Sequence, residues 1–116
     1  MSLAVGKAWK NFRRPQSKFN NERVVTEDGA FDSKKEHRRW CELKLLQLAG
    51  EIRNLKHHQV FKFEHNGVSI GSYEADFTYF QGNEFVVEDS KGVRTDVYLL
   101  KRKLMLAFFN ISIKET

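Results

Sequence analysis

The stretch from Asp76 to Lys91, Asp-Phe-Thr-Tyr-Phe-Gln-Gly-Asn-Glu-Phe-Val-Val-Glu-Asp-Ser-Lys, leaves little freedom to a chain that contains it. Two apolar, aromatic-rich runs flank Gly82-Asn83. This is a two-residue hairpin signal, because glycine at the first turn position accepts positive φ without steric cost. With those two residues as the loop, Gln81 faces Glu84, and the same register carried outward sets Asp76 opposite Asp89. Opposed residues have Cβ atoms about 4.5–5.5 Å apart, and like charges at that spacing destabilise a sheet. A divalent cation bridging the two carboxylates turns the penalty into a binding site. Lys91 lies two residues past Asp89 and shares its face. Two carboxylates and an ammonium at one spot point to metal-assisted chemistry on a phosphate. Glu88 has the opposite parity and is expected to point away, although a bulge would exchange it with Asp89.

The composition agrees with a small domain acting on a polyanion. The chain has 116 residues, 41% of them apolar, with 10 Phe, enough for one modest core. Its net charge of +5 favours a polyanionic partner, a signal that many basic proteins without nucleic-acid partners share. Cys41 is the sole cysteine, which excludes an intramolecular disulfide framework and fits a reducing cytoplasm. No apolar run is long enough to span a bilayer, and Met1 to Phe12 lacks a signal-peptide core, so no membrane partner is expected. Residues 1–30 hold Lys7, Lys10, Arg13, Arg14, Lys18 and Arg23 without a sustained hydrophobic period. They read as a basic N-terminal arm, either contacting DNA or solubilising the chain. Residues 31–116 read as the folded core.

Within that core the spacing predicts a helix over Ser33 to Leu48. Asp32 or Ser33 can cap it, Glu36 stands three residues after Ser33 as a capping box requires, and Glu36, Trp40, Leu43 and Leu46/Gln47 share a face. Gly50 is the stop signal. Gln59 to Glu64 alternates as a half-buried strand, and Asn66-Gly67 turns the chain into a second strand from Val68 to Phe80, bulged at Gly71. Glu84 to Lys91 forms the third strand. Thr95 caps a second helix reaching Phe109, whose apolar stripe is Val97, Leu100, Leu104 and Phe108. Asn110 to Lys114 is a short last strand. The order is αβββαβ, an α/β (α+β) chain with a mixed central sheet flanked by helices.

Order and residues together resemble the PD-(D/E)XK nuclease superfamily, with its restriction endonuclease-like αβββαβ core. They are most similar to a small phage-associated branch laid out like archaeal-type Holliday junction resolvases. The resemblance covers Phe31 to Lys114. It implies that the site is built by Glu36 in Phe-Asp-Ser-Lys-Lys-Glu, Asp76 in Tyr-Glu-Ala-Asp-Phe, and Asp89-Ser90-Lys91. Ala75 stands where proline often precedes the aspartate. The Asp-x-Lys tripeptide is common by chance, and its weight here comes from the strand, the opposed Asp76 and the helical Glu36. The implied activity is a metal-dependent endodeoxyribonuclease acting on branched DNA in phage recombination, replication or packaging. A 5′-phosphate and a 3′-hydroxyl are the implied products. The alternative is a non-catalytic nucleic-acid-binding accessory protein on the same fold.

Carboxylates are hard oxygen donors that suit Mg²⁺ or Mn²⁺. Asp76, Asp89 and the backbone carbonyl of Ser90 are the expected ligands, with Glu36 completing the shell or only closing its capping box. Lys91 is expected to orient the attacking water and stabilise the transition state. Asp89 and Lys91 read as a surface salt bridge if the opposition to Asp76 is set aside. The expected nucleic-acid contacts are Lys101 on the second helix, Arg13 and Arg14 in the arm, and Lys34 and Lys35 at the first helix. A homodimer would offer two sites to two strands and cover apolar surface that so small a core leaves exposed.

Overall fold

The computed structural model describes residues 23–90 and 93–116, and the chain divides into two compact units between His37 and Arg38. In the first unit, β1 (Val24–Thr26) and β2 (Gly29–Phe31) form an antiparallel hairpin with Val24 paired to Phe31. Its turn is held by the Asp28 N–H donating to Thr26 Oγ1 at 3.1 Å. Three-residue strands present too few positions to show a period, which is why this hairpin is silent in the sequence.

Helix α1 (Lys34–Leu48) starts where its cap predicts. The Glu36 N–H donates to Ser33 Oγ at 3.1 Å. The reciprocal bond is shifted by one residue: Glu36 Oε1 accepts from the Asp32 N–H at 2.7 Å instead of from Ser33. Trp40 and Leu43 are buried as expected. Gly50, at φ 83, takes the left-handed cap position, and the Glu51 N–H reaches back to the Leu46 carbonyl at 2.9 Å.

The second unit continues through β3 (Arg53–His57), β4 (Val60–His65), β5 (Val68–Glu74), β6 (Phe77–Gln81), β7 (Glu84–Asp89), α2 (Asp96–Phe109) and β8 (Lys114–Glu115). A four-stranded sheet has the order β3-β6-β7-β8. The β3–β6 and β6–β7 pairs are antiparallel, and β8 joins β7 in parallel after the α2 crossover. β4 and β5 form a separate two-stranded sheet. Among the described residues the fold is therefore α+β, with a mixed sheet and two helices. Among the described residues no helix is long and apolar enough to cross a membrane.

Both predicted turns form. Asn66 and Gly67 adopt φ 51 and 77, as a type I′ hairpin requires, and Gly82 adopts φ 64. The register slips between Phe63↔Gly71 and Glu64↔Ser69, so Ile70 is the extra residue of the expected bulge.

Four expectations are corrected. The strand expected over Val68 to Phe80 is two strands, because the chain leaves one sheet and enters the other at Ala75-Asp76. β3 was not anticipated: Arg-Asn-Leu-Lys-His shows no alternation, and its ladder is irregular between Arg53 and Lys56, where Asn54 has φ 57. The buried face of α2 carries Tyr98 and Met105, whereas Val97 and Leu100 are 62% and 56% exposed. This helix is apolar on more than one face, so its rotation is set by Tyr98, whose hydroxyl must find a partner when buried. The core of this unit joins Phe61, Phe63, Tyr73, Ala75, Val87, Tyr98, Met105 and Ile113. The last strand is also shorter than expected, since Ile111 and Ile113 precede it.

Candidate active site at the end of the central hairpin

The ladder between β6 and β7 runs without interruption from Gln81↔Glu84 to Phe77↔Glu88. Asp76 is the next residue outward on one side and Asp89 on the other, the register that the turn predicts. Asp76 lies in the crossing between sheets instead of inside a strand. Its backbone carbonyl accepts from the His58 N–H at 3.1 Å, and the neighbouring Ala75 N–H donates to the Gln59 carbonyl at 2.9 Å. Its Oδ2 accepts from the Ser90 N–H at 2.7 Å. That bond fastens the Asp76 carboxylate to the residue directly after Asp89. It makes a charge-assisted contact of the strong kind.

Asp89 is 3% exposed, and its Oδ2 accepts from the Tyr73 hydroxyl at 2.5 Å. Burial, then the bond to Asp89, then the charges on Asp89 and Asp76 push the Tyr73 hydroxyl far above the usual phenol range. Tyr73 therefore remains protonated, a hydrogen-bond donor and not a nucleophile. Tyr98 is likewise pushed up, first by burial and then by its bond to Glu115 and the charge on Asp89. Asp89 is thus met by the protonated Tyr73 phenol, and its charge is felt by a second protonated phenol, Tyr98, bonded to the neighbouring Glu115.

Glu88 points to the opposite side, as its parity predicts. It is fully buried there, and Arg39 meets it with two bonds, Nε to Oε1 at 2.9 Å and Nη2 to Oε2 at 2.8 Å. The Tyr79 hydroxyl donates to the same carboxylate. Burial pushes Glu88 up, but the bonds from Arg39 and Tyr79 outweigh it and hold the carboxyl below its ordinary value. Glu88 is a structural anion.

The predicted residues fall into four sets. Asp76, Asp89 and Ser90 are brought together. Glu36 is 3% exposed and its carboxylate caps its own helix; it belongs to the first unit, with exposed Lys34 and Lys35. Lys101 is half-buried on α2. Arg13, Arg14 and Lys91 lie outside the described residues. The sequence reading missed Arg39, Tyr73 and Tyr79. Arg39 had a signal, since it follows Glu36 at i+3 and borders the buried stripe. Tyr73 and Ala75, two residues apart, are both buried, a fact of the fold that the sequence does not signal.

Among the described residues no three His, Cys, Asp or Glu side chains converge as a metal cage. Mg²⁺ does not require one: it keeps several waters and is commonly bound by one or two carboxylates together with substrate phosphates. The donor set of Asp76 and Asp89 fits that chemistry.

The family described as protein of unknown function (DUF1064) matches residues 16–114, most of the chain, and the chain belongs to it. No curated protein and no solved structure matches.

Proposed function

We propose that this DUF1064 chain is a metal-dependent endodeoxyribonuclease on a restriction endonuclease-like core, hydrolysing phosphodiester bonds in branched DNA such as a Holliday junction. The observation that carries the reading is the hydrogen bond from the Ser90 N–H to Asp76 Oδ2, which ties the Asp76 carboxylate to the backbone directly after Asp89 at the end of a sheet. An α-helix before the antiparallel strands, and a helical crossover to a parallel last strand, agree with the same reading.

Asp76 and Asp89 would hold Mg²⁺ or Mn²⁺, with the Ser90 carbonyl as a further oxygen donor. An ion held by these residues would supply Lewis-acid chemistry, lowering the pKa of bound water and polarising the phosphodiester. Ser90 orients Asp76, and Tyr73 orients Asp89. Neither phenol near Asp89 is acidic enough to attack phosphorus, so water is the nucleophile. Lys91 stabilises the charge that develops on the phosphate. Glu36 serves as a helix cap within the first unit. A homodimer working in the cytoplasm of a phage-infected cell would cut paired strands with two such sites.

The short Tyr73–Asp89 bond and the lack of a third converging ligand among the described residues favour a second reading, a DNA-binding accessory protein without catalysis. The two are separated by single-turnover cleavage of four-way junctions, flaps, single strands and duplexes in Mg²⁺ or Mn²⁺, with binding measured in Ca²⁺. Cleavage that disappears in Asp89→Asn while binding persists supports the nuclease. A wild type that binds the whole panel and cuts none of it is the accessory protein.

A further inference from the structure

One strand over from Asp89, three donors meet on a single oxygen. Glu115 Oε2 accepts from the Tyr98 hydroxyl at 2.7 Å and from Arg102 Nη1 at 3.1 Å, and Arg94 Nε lies 3.4 Å away. Glu115 is the ladder partner of Asp89 in the parallel β7–β8 pair, and the Thr116 N–H donates to the Asp89 carbonyl at 3.0 Å. Adjacent strands are ~4.8 Å apart, so this cluster borders the candidate site directly.

The charges in it do not balance. Two guanidiniums share one carboxylate, leaving an excess of one positive charge on partly exposed groups: the side chains of Arg94, Arg102 and Glu115 are 52%, 35% and 29% exposed. Exposed ion pairs are worth ~0–1 kcal/mol, so exchanging this carboxylate for another anion costs little. Each guanidinium carries five N–H donors in a planar fork, and such forks match phosphate geometry.

The geometry points to Arg94 and Arg102 as a seat for a DNA backbone phosphate next to the scissile position, with Glu115 holding the two guanidiniums in place until DNA arrives. The inference rests on the nuclease reading and gives that site its substrate-positioning groups. Tyr98, kept protonated beside both acids, anchors Glu115 so that the guanidiniums can turn outward without loss of the strand pairing.

The test uses the full chain and a labelled four-way junction, with binding by fluorescence anisotropy in Ca²⁺ over a series of salt concentrations and a thermal melt of each variant. Arg94→Ala leaves Arg102 and Tyr98 on Glu115 and is expected to keep the fold. It should weaken binding several-fold and lower the slope of log affinity against log salt by about 0.9, the loss of one phosphate contact. Arg102→Ala should act in the same direction. Glu115→Gln should do the opposite and tighten binding, because it removes the competing anion while keeping an acceptor for Tyr98. Glu115→Gln that weakens binding in step with the arginine variants overturns the seat and makes the trio a structural tie. Arginine variants that bind with wild-type affinity and slope overturn it too, and leave the nuclease reading standing if the wild type cleaves. A wild type without affinity for the junction removes both.

Discussion

Arg39 and Glu88, 49 residues apart, are joined by two parallel hydrogen bonds that fasten α1 to the central strand β7. The guanidinium is 23% exposed and the carboxylate fully buried, so the pair is asymmetric: Arg39 can recover water, whereas Glu88 cannot. Removing one member of a buried pair is costly because it strands the other.

Arg39→Ala should therefore destabilise the fold by about 3 kcal/mol or more, whereas Glu88→Gln, which strands no buried charge, should cost clearly less. Chemical denaturation of the two variants checks the order. Equal losses would mean that Glu88 is solvated in the wild type.

The same carboxylate sets an acid limit. The Glu88 pKa is lowered from 4.5, so the unfolded chain takes up the proton first as pH falls. The stabilisation from ionised Glu88 is fully present above its unfolded pKa and is lost as pH drops through the lower folded value. Glu88→Gln should flatten the decline of stability below about pH 4.5 by up to one proton's worth, about 1.4 kcal/mol per pH unit. Denaturant midpoints through the acid range measure it.

Tyr73→Phe removes the hydroxyl that donates to buried Asp89. Leaving that acceptor without its donor should cost about 1–3 kcal/mol. Combining it with Asp89→Asn, which relieves the charge, should cost less than the sum of the two, because both changes act on one bond. If Asp89 holds Mg²⁺, the ion's thermal stabilisation should shrink in Asp89→Asn and persist in Tyr73→Phe. Thermal melts with and without Mg²⁺ read both effects.

Gly82→Ala tests the turn that fixes the Asp76–Asp89 register. A Cβ at Gly82 meets nothing within 4 Å, so the cost is backbone strain alone at φ 64, about 1–2 kcal/mol. Gly82→Asn should cost less, since asparagine tolerates that conformation. Equal destabilisation by the two would place the cost in side-chain contacts.

Lys91→Ala should keep junction binding within a few-fold, since one ammonium among 20 basic side chains adds little to overall attraction. Single-turnover cleavage should fall on the order of 10²-fold or more, the usual loss for a preorganised transition-state donor. Cleavage that survives the substitution would remove Lys91 from the chemistry.

What the sequence disclosed is local. Gly82, Asn66-Gly67, Thr95 and the Ser33–Glu36 box each act within four residues, and each produces the turn or cap that its chemistry dictates. The register of β6 on β7 follows from such a turn, and with it the opposite facing of Glu88 and Asp89. What it hid depends on partners far along the chain. The low strand propensity of Glu74-Ala75-Asp76 marks a break within Val68 to Phe80, but nothing there announces that β5 will pair in a second sheet. Nor does α2, apolar on several faces, declare which of them Tyr98 will turn inward. The pairing of Arg39 with Glu88 needed the fold to become visible.

The crossing at Ala75-Asp76 also works as a mechanical joint. Two separate sheets share one continuous run of chain there, so length changes in the outer hairpin are not passed to the inner ladder. The extra residue at Ile70 is absorbed within β4–β5, while every pair from Phe77↔Glu88 to Gln81↔Glu84 stays in step. The outer hairpin can thus absorb a change of length at its bulge while Phe61, Phe63 and Tyr73 stay fixed in the core, and the two aspartates keep their alignment.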